Sequence, residues 1–292
     1  MKSAVLLCAL ATTIMAGRAD AQVLYGATSS GGPGALYTLN PASGAVMQSL
    51  GPTVDAGGIN YPITGLAFNP IDGQLYGSTG NSQGSTSWAR LVKINPATAQ
   101  VTVVGLYNAG PVNTTGTPAT MADITFTTSG QLYGISSIGT PNLYSIDPTT
   151  GQATLVGSGN SGAGSFTAGG GIATSLAGVL YSSPTTGKFG TFDPVTGLYT
   201  NIGSLTFPAG ANTGYAAFAF NGNTLYADDL GSPPHLTTID TTTAAVTDLG
   251  TSVAGLDAIA FSPAPVPEPG TMALVFGAAI IGTAARRRKA KA

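Results

Sequence analysis

Cysteine is almost missing from this chain. Cys8 is the only one in 292 residues, and it lies in an apolar N-terminal leader. The rest of the chain therefore has neither disulfides nor thiol chemistry. Histidine and tryptophan are equally scarce, at one each, His235 and Trp88. Without a His/Cys cluster, zinc and iron centres of the usual donor sets are excluded. No glutamate precedes Glu268. Basic charge is also thin: between residues 22 and 265 only Arg90, Lys93 and Lys188 stand against ten aspartates, a net charge of −7. Nucleic-acid binding needs a basic face, and this segment has none.

What is there is Gly, Thr, Ser, Ala and Asn. That composition opposes long surface helices and suits strands joined by many turns. A Leu-Tyr element recurs five times, at Leu24-Tyr25, Leu75-Tyr76, Leu132-Tyr133, Leu180-Tyr181 and Leu225-Tyr226. Each copy is followed by an apolar alternation ending in Asn40, Asn95, Asp147, Asp193 or Asp240, at spacings of 55, 52, 46 and 47 residues. That period fits a four-stranded propeller blade. Each unit reads as four strands with period-two alternation. The turn between the third and fourth strands, as in Asp147-Pro148-Thr149-Thr150-Gly151, puts an Asx acceptor first, Pro second and Gly where φ turns positive. The repeated Asn/Asp is thus a turn cap rather than a metal ligand, and the repeated Tyr is packing rather than a binding platform.

The first unit begins at its second strand, Leu24. The last is followed by an orphan first-strand pattern, Leu256–Phe261. These observations predict an all-β, five-bladed β-propeller over residues 22–263, closed by pairing its N- and C-terminal strands, with a transmembrane helix beyond it. The repeats resemble bacterial propeller repeats with an N/D-P-x-T-G turn, a resemblance that implies no specific activity.

The ends read as addresses. Residues 1–21 have a basic start, an apolar run and Ala19-Asp20-Ala21, the pattern of a secretory signal cut by signal peptidase after Ala21. In the tail, residues 264–292, Pro267-Glu268-Pro269 precedes the uncharged Thr271–Ala285, and Arg286, Arg287, Arg288 and Lys289 follow. Fifteen helical residues span about 22 Å, short of the roughly 30 Å of a bilayer core, a deficit that flanking residues or local thinning can absorb. The basic end stays cytoplasmic by the positive-inside rule. An ordinary anchor fits this order as well. The tail resembles the PEP-CTERM sorting domain of Gram-negative bacteria. The resemblance implies processing by an exosortase, a membrane protease recognising the Pro-Glu-Pro region, and a host that makes extracellular polysaccharide. The expected course is an inner-membrane-anchored precursor, then the cell surface or extracellular matrix.

Function is expected on the face carrying the long, blade-specific connections between second and third strands and between blades. Trp88, Arg90, Tyr107, Tyr215, Asp228, Asp229 and His235 fall there, as rings that stack on sugars and carboxylates that accept from hydroxyls. Loop packing competes with that reading for each. Catalysis has little support. Glycoside hydrolysis needs two placed carboxylates, and adjacent Asp228 and Asp229 point to opposite sides of a strand. No nucleophile elbow accompanies His235. The expectation is a non-enzymatic domain, without cofactor or metal, binding matrix polysaccharide or a surface protein. A polysaccharide-acting enzyme using Asp123 and Asp257 at the tunnel mouth, or a purely structural matrix component, are the alternatives. Calcium held by Asp side chains and loop carbonyls is allowed, without a specific motif.

Overall fold

The structure is a computed structural model, and it describes residues 22–263 apart from 30–31, 81–86, 109–119, 138 and 209–213. The leader and the tail, including Pro267, Glu268, Pro269 and the Arg286–Lys289 cluster, lie outside the described residues.

Twenty strands form five four-stranded antiparallel sheets, with no helix among the described residues. Blade 1 joins β20 (Leu256–Phe261) to β1 (Leu24–Thr28), β2 (Ala35–Leu39) and β3 (Val46–Pro52). Blade 2 is β4 (Ile63–Phe68), β5 (Leu75–Thr79), β6 (Arg90–Ile94) and β7 (Val101–Leu106). Blade 3 is β8 (Met121–Phe126), β9 (Leu132–Ser136), β10 (Leu143–Ile146) and β11 (Ala153–Leu155). Blade 4 is β12 (Gly171–Thr174), β13 (Leu180–Ser183), β14 (Lys188–Phe192) and β15 (Tyr199–Ser204). Blade 5 is β16 (Tyr215–Asn221), β17 (Thr224–Asp229), β18 (His235–Ile239) and β19 (Val246–Thr251). The innermost strands touch in cyclic order, β20 to β4, β8, β12, β16 and back to β20. The fold is a five-bladed propeller, and its ring closes as the repeat count predicts. Leu24 faces Phe261, Tyr25 faces Ala260 and Gly26 faces Ile259 in the joint between the two ends.

The repeated residues hold the blades and the ring. Each Asn or Asp caps its turn: Asn40 accepts from the Ala42 amide at 2.8 Å, Asn95 from Ala97 at 2.9 Å, Asp147 from Thr149 at 2.8 Å, Asp193 from Val195 at 2.8 Å and Asp240 from Thr242 at 2.8 Å. The left-handed position that closes these turns is Gly44, Ala99, Gly151, Gly197 and Ala244, with φ between 58° and 79°. The two alanines are fully buried, so packing of the methyl offsets a backbone cost of roughly 1–2 kcal/mol.

The repeated Tyr packs on the next blade. Tyr25 meets Phe68 at 5.5 Å between centroids, Tyr76 meets Phe126 at 5.2 Å, Tyr181 meets Phe220 at 5.8 Å and Tyr226 meets Phe261 at 4.9 Å. The last pair joins blade 5 to blade 1. Between blades 3 and 4 the aromatic partner is replaced by Thr174, whose Oγ1 lies 3.1 Å from that of Thr125.

Candidate functional site

Antiparallel connections sort the loops onto two faces, and one face opens on the axis. A cavity of about 280 Å³ lies at its mouth, lined by Ser29, Thr64, Ser137, Phe166, Leu230 and Asp257 among others. Those residues come from the second-to-third and blade-to-blade connections and from the starts of the inner strands. A repeated irregularity supplies the inner set. Register slips in the inner strands at Thr64, Ala122, Ala216 and Asp257. A β-bulge there turns its extra residue out of the ladder, and three of these four residues line the mouth.

Below the mouth, Asp123 ties together inner strands of three blades. It is fully buried. One carboxylate oxygen accepts the Ile124 amide at 2.8 Å. The other accepts the amides of Ile172, at 3.0 Å, and Phe218, at 3.1 Å, from the inner strands of blades 4 and 5. Gly65 of blade 2 packs so close that a Cβ there would lie 2.7 Å from the Asp123 Cα. Asp123 was expected at the mouth; it is instead an internal staple of the ring. Burial raises its carboxyl well above the usual range, and the three amides oppose that shift.

The seven residues expected to bind fall into two groups on different blades, and none of them lines the mouth cavity. In the first, Trp88 packs, half-buried, against a cluster containing Ala89, Leu91 and Tyr107. Arg90 opens β6 opposite Leu106. Tyr107 is fully buried, which pushes its hydroxyl up. In the second, Tyr215 is buried and donates to the Thr206 carbonyl at 2.7 Å. The Asp229 carboxylate accepts the amides of His235, at 2.7 Å, and Gly231, at 3.1 Å. His235 Nδ1 lies 3.0 Å from Asp248 Oδ1.

Comparison of the blades explains Asp229. Its equivalents Thr28, Thr79 and Ser136 accept the amides of Ala35, Arg90 and Asn142, the same loop-closing bond. Asp228 has no such explanation. It is fully buried, and neither carboxylate oxygen has a hydrogen-bond partner. Burial first, then the charges of Asp257, Asp229 and Asp123, raise its carboxyl well above the ordinary value. Asp257 is half-buried at the mouth, and burial lifts it to about 7, opposed by a hydrogen bond from Ser29. Among the described residues no three His, Cys, Asp or Glu side chains are grouped so as to hold a metal ion. Among the described residues no helix is long and apolar enough to cross a membrane.

The cavity-lining residues Phe166, Ser29, Thr64 and Ser137 are not among those singled out from the sequence. The bulges that aim the inner-strand residues leave no periodic trace, and Phe166 lies in an unrepeated loop.

The architecture is that of a repeat-built propeller carrying a sorting tail. The chain belongs to the family described as "Repeat of unknown function (DUF6923)", whose model matches residues 53–245. Residues 265–289 match the PEP-CTERM protein-sorting motif. The protein is accordingly an exported, surface-sorted propeller processed by an exosortase. No curated protein matches it. Among solved structures it is similar to virginiamycin B lyase from Staphylococcus aureus, at 15% identity and a TM-score of 0.41, over 77% of this chain and 69% of that one. It is also similar to a structural-genomics protein of unknown function from Bacteroides thetaiotaomicron, at 17% identity and a TM-score of 0.43, over 78% of this chain and 50% of that one.

Proposed function

We propose that this surface-sorted propeller is a non-enzymatic binding module that takes an extracellular partner, matrix polysaccharide in the first place, at the loop-face mouth of its axis. The supporting observation is the cavity of about 280 Å³ at the mouth. Its lining sets the ring of Phe166 and the side chain of Leu230 beside the hydroxyls of Ser29, Thr64 and Ser137. Apolar rings with a few convergent polar groups are the chemistry of a small-ligand site, and they suit the mixed faces of a sugar. Because Asp123 joins the inner strands of blades 3, 4 and 5 below the cavity, the reading takes a chain end, not a threaded polymer, as the occupant. Trp88 and Arg90 lie on the same loop face as a rim to a longer ligand. The precursor is held in the inner membrane of a Gram-negative host by the apolar Thr271–Ala285 segment until the tail is cut. A glycan-array profile of the mature protein tests the reading: selective retention of one glycan class is expected, and an empty array removes polysaccharide as the partner.

A second reading rests on Asp257, a carboxyl lifted to about 7 at the mouth. Such a group suits general acid–base work near neutral pH. In that reading the protein cleaves polysaccharide, and Asp257→Asn abolishes turnover. Polysaccharide that stays intact on prolonged incubation with the wild-type protein excludes it.

A further inference from the structure

Aligning the five blades by register separates acids that the fold explains from acids that it does not. At the position of Asp123 the other inner strands carry Gly65, Gly171, Ala217 and Ala258, and three amide donors account for the departure. At the position of Asp228 the other second strands carry Ala27, Ser78, Ile135 and Ser183. The blade therefore folds around small or apolar residues there and has no need of a carboxylate. At the bulge occupied by Asp257, the other inner strands carry Thr64, Ala122 and Ala216. Two unneeded acids thus fall at the loop-face ends of β17 and β20, and these two strands are in contact.

Asp228 is the sharper of the two. A buried carboxylate with no donor is costly unless something neutralises it. Lys188 and Arg90 begin strands of other blades, and Lys188 Nζ already donates to the Ala163 carbonyl at 2.7 Å. His235, the nearest basic side chain in sequence, faces Asp248. The charge that Asp228 feels most strongly is another acid, Asp257. Repulsive groups held together without a counter-charge point to a missing cation.

We propose that Asp228 and Asp257 hold a hard divalent cation, calcium by its donor chemistry, at the loop-face end of the propeller axis. Around Asp257 the mouth offers only oxygen donors, hydroxyls such as those of Thr64 and Ser137, and no imidazole or thiolate. Calcium accepts six to eight oxygens in irregular geometry and takes carbonyls and water to complete its shell. Two carboxylates suffice for the weak affinities of extracellular modules, with Kd on the order of 10⁻⁴ to 10⁻³ M. The site stands independently of the proposed glycan partner.

The test uses the full chain purified in detergent and stripped with a chelator. Calcium titration followed by calorimetry and by thermal melting is expected to give one site per chain and a saturating rise in Tm, because a ligand bound only by the folded state stabilises it. Asp228→Ser and Asp257→Ala place residues used by neighbouring blades and should fold. Each should weaken calcium binding at least tenfold. In chelator the Asp228→Ser protein should melt above wild type, since an unpartnered buried acid has gone, and in saturating calcium the order should reverse. Absence of calorimetric binding at 10 mM calcium, about ten times the weakest expected Kd, overturns the proposal. So does an Asp228→Ser protein that melts above wild type in both conditions, because the acid is then simply a protonated group without a cation. Zinc binding that displaces calcium also overturns the assignment to a hard oxygen site.

Discussion

Asp123 on the inner strand of blade 3 accepts the backbone amide of Phe218, 95 residues later in blade 5, at 3.1 Å. The bond crosses blade 4, whose Ile172 amide shares the same oxygen at 3.0 Å. A single carboxylate thus satisfies inner-strand donors that face the axis and have no ladder partner there.

Replacing Asp123 should therefore cost stability rather than a specific activity. Asp123→Ala strands three buried amides at roughly 1–3 kcal/mol each, so a loss of about 3 kcal/mol or more is expected. Urea unfolding of wild type and variant checks it. A variant within about 0.5 kcal/mol, the usual range for surface changes, would mean that water replaces the carboxylate and the staple is dispensable.

Ring closure makes a second claim. Phe261, buried on β20 opposite Leu24 of β1, also meets Tyr226 of blade 5 edge-on at 4.9 Å. Phe261→Ala should cost about 3–5 kcal/mol, as for other buried rings, and deletion of Leu256–Phe261 should abolish cooperative melting by leaving β1 as an open edge. Thermal denaturation of both is the check. A deletion protein that melts cooperatively at the wild-type temperature would contradict closure by β20.

The turn caps give a pH prediction. Hydrogen bonds from the Thr242 hydroxyl, then from the Thr242 and Thr243 amides, lower the Asp240 carboxyl from 3.8 to about 2. The folded value lies below the unfolded one. The cap's contribution is therefore complete above pH 3.8 and is lost as pH falls through about 2. Carbon-detected NMR should show the Asp240 carboxyl titrating near 2 in the folded protein. Thr242→Val should raise that midpoint, and an unchanged midpoint would remove the hydroxyl as its cause.

How much of this was legible beforehand follows from where repetition exists. The Leu-Tyr and Asn/Asp elements recur, so blade number, the caps at Asn40 and Asp147, the Tyr76–Phe126 packing and the Leu256–Phe261 closure could all be read. The site could not, because its residues are the ones that break the repeat. Asp123 and Asp257 look alike in sequence, but a bulge turns Asp257 toward the mouth while the regular ladder sends Asp123 into the ring. Tyr107 and Tyr215 read as loop aromatics, yet both rings are fully buried, Tyr107 just after β7 and Tyr215 as the first residue of β16. Asp228 and Asp229 alternate on one strand, and only register shows one as a loop clasp and the other as unpartnered.

Sorting yields a fourth expectation. Exosortase processing near Pro267-Glu268-Pro269 should leave surface material without peptides from Thr271–Ala292. Mass spectrometry of the outer-surface fraction measures this directly. Intact tail peptides carrying Arg286–Lys289 in that fraction would mean that the chain reaches the surface uncut.

The central functional claim is that the partner sits at the loop-face mouth of the axis. Hydrogen exchange of the mature protein, with and without purified matrix polysaccharide, tests it most directly. Slowed exchange is predicted at Phe166–Gly169, at Leu230 and around Ser137, with the opposite face unchanged. Protection confined to the capped turns at Asp193–Gly197 and Asp240–Ala244, with the mouth exchanging freely, would contradict the account.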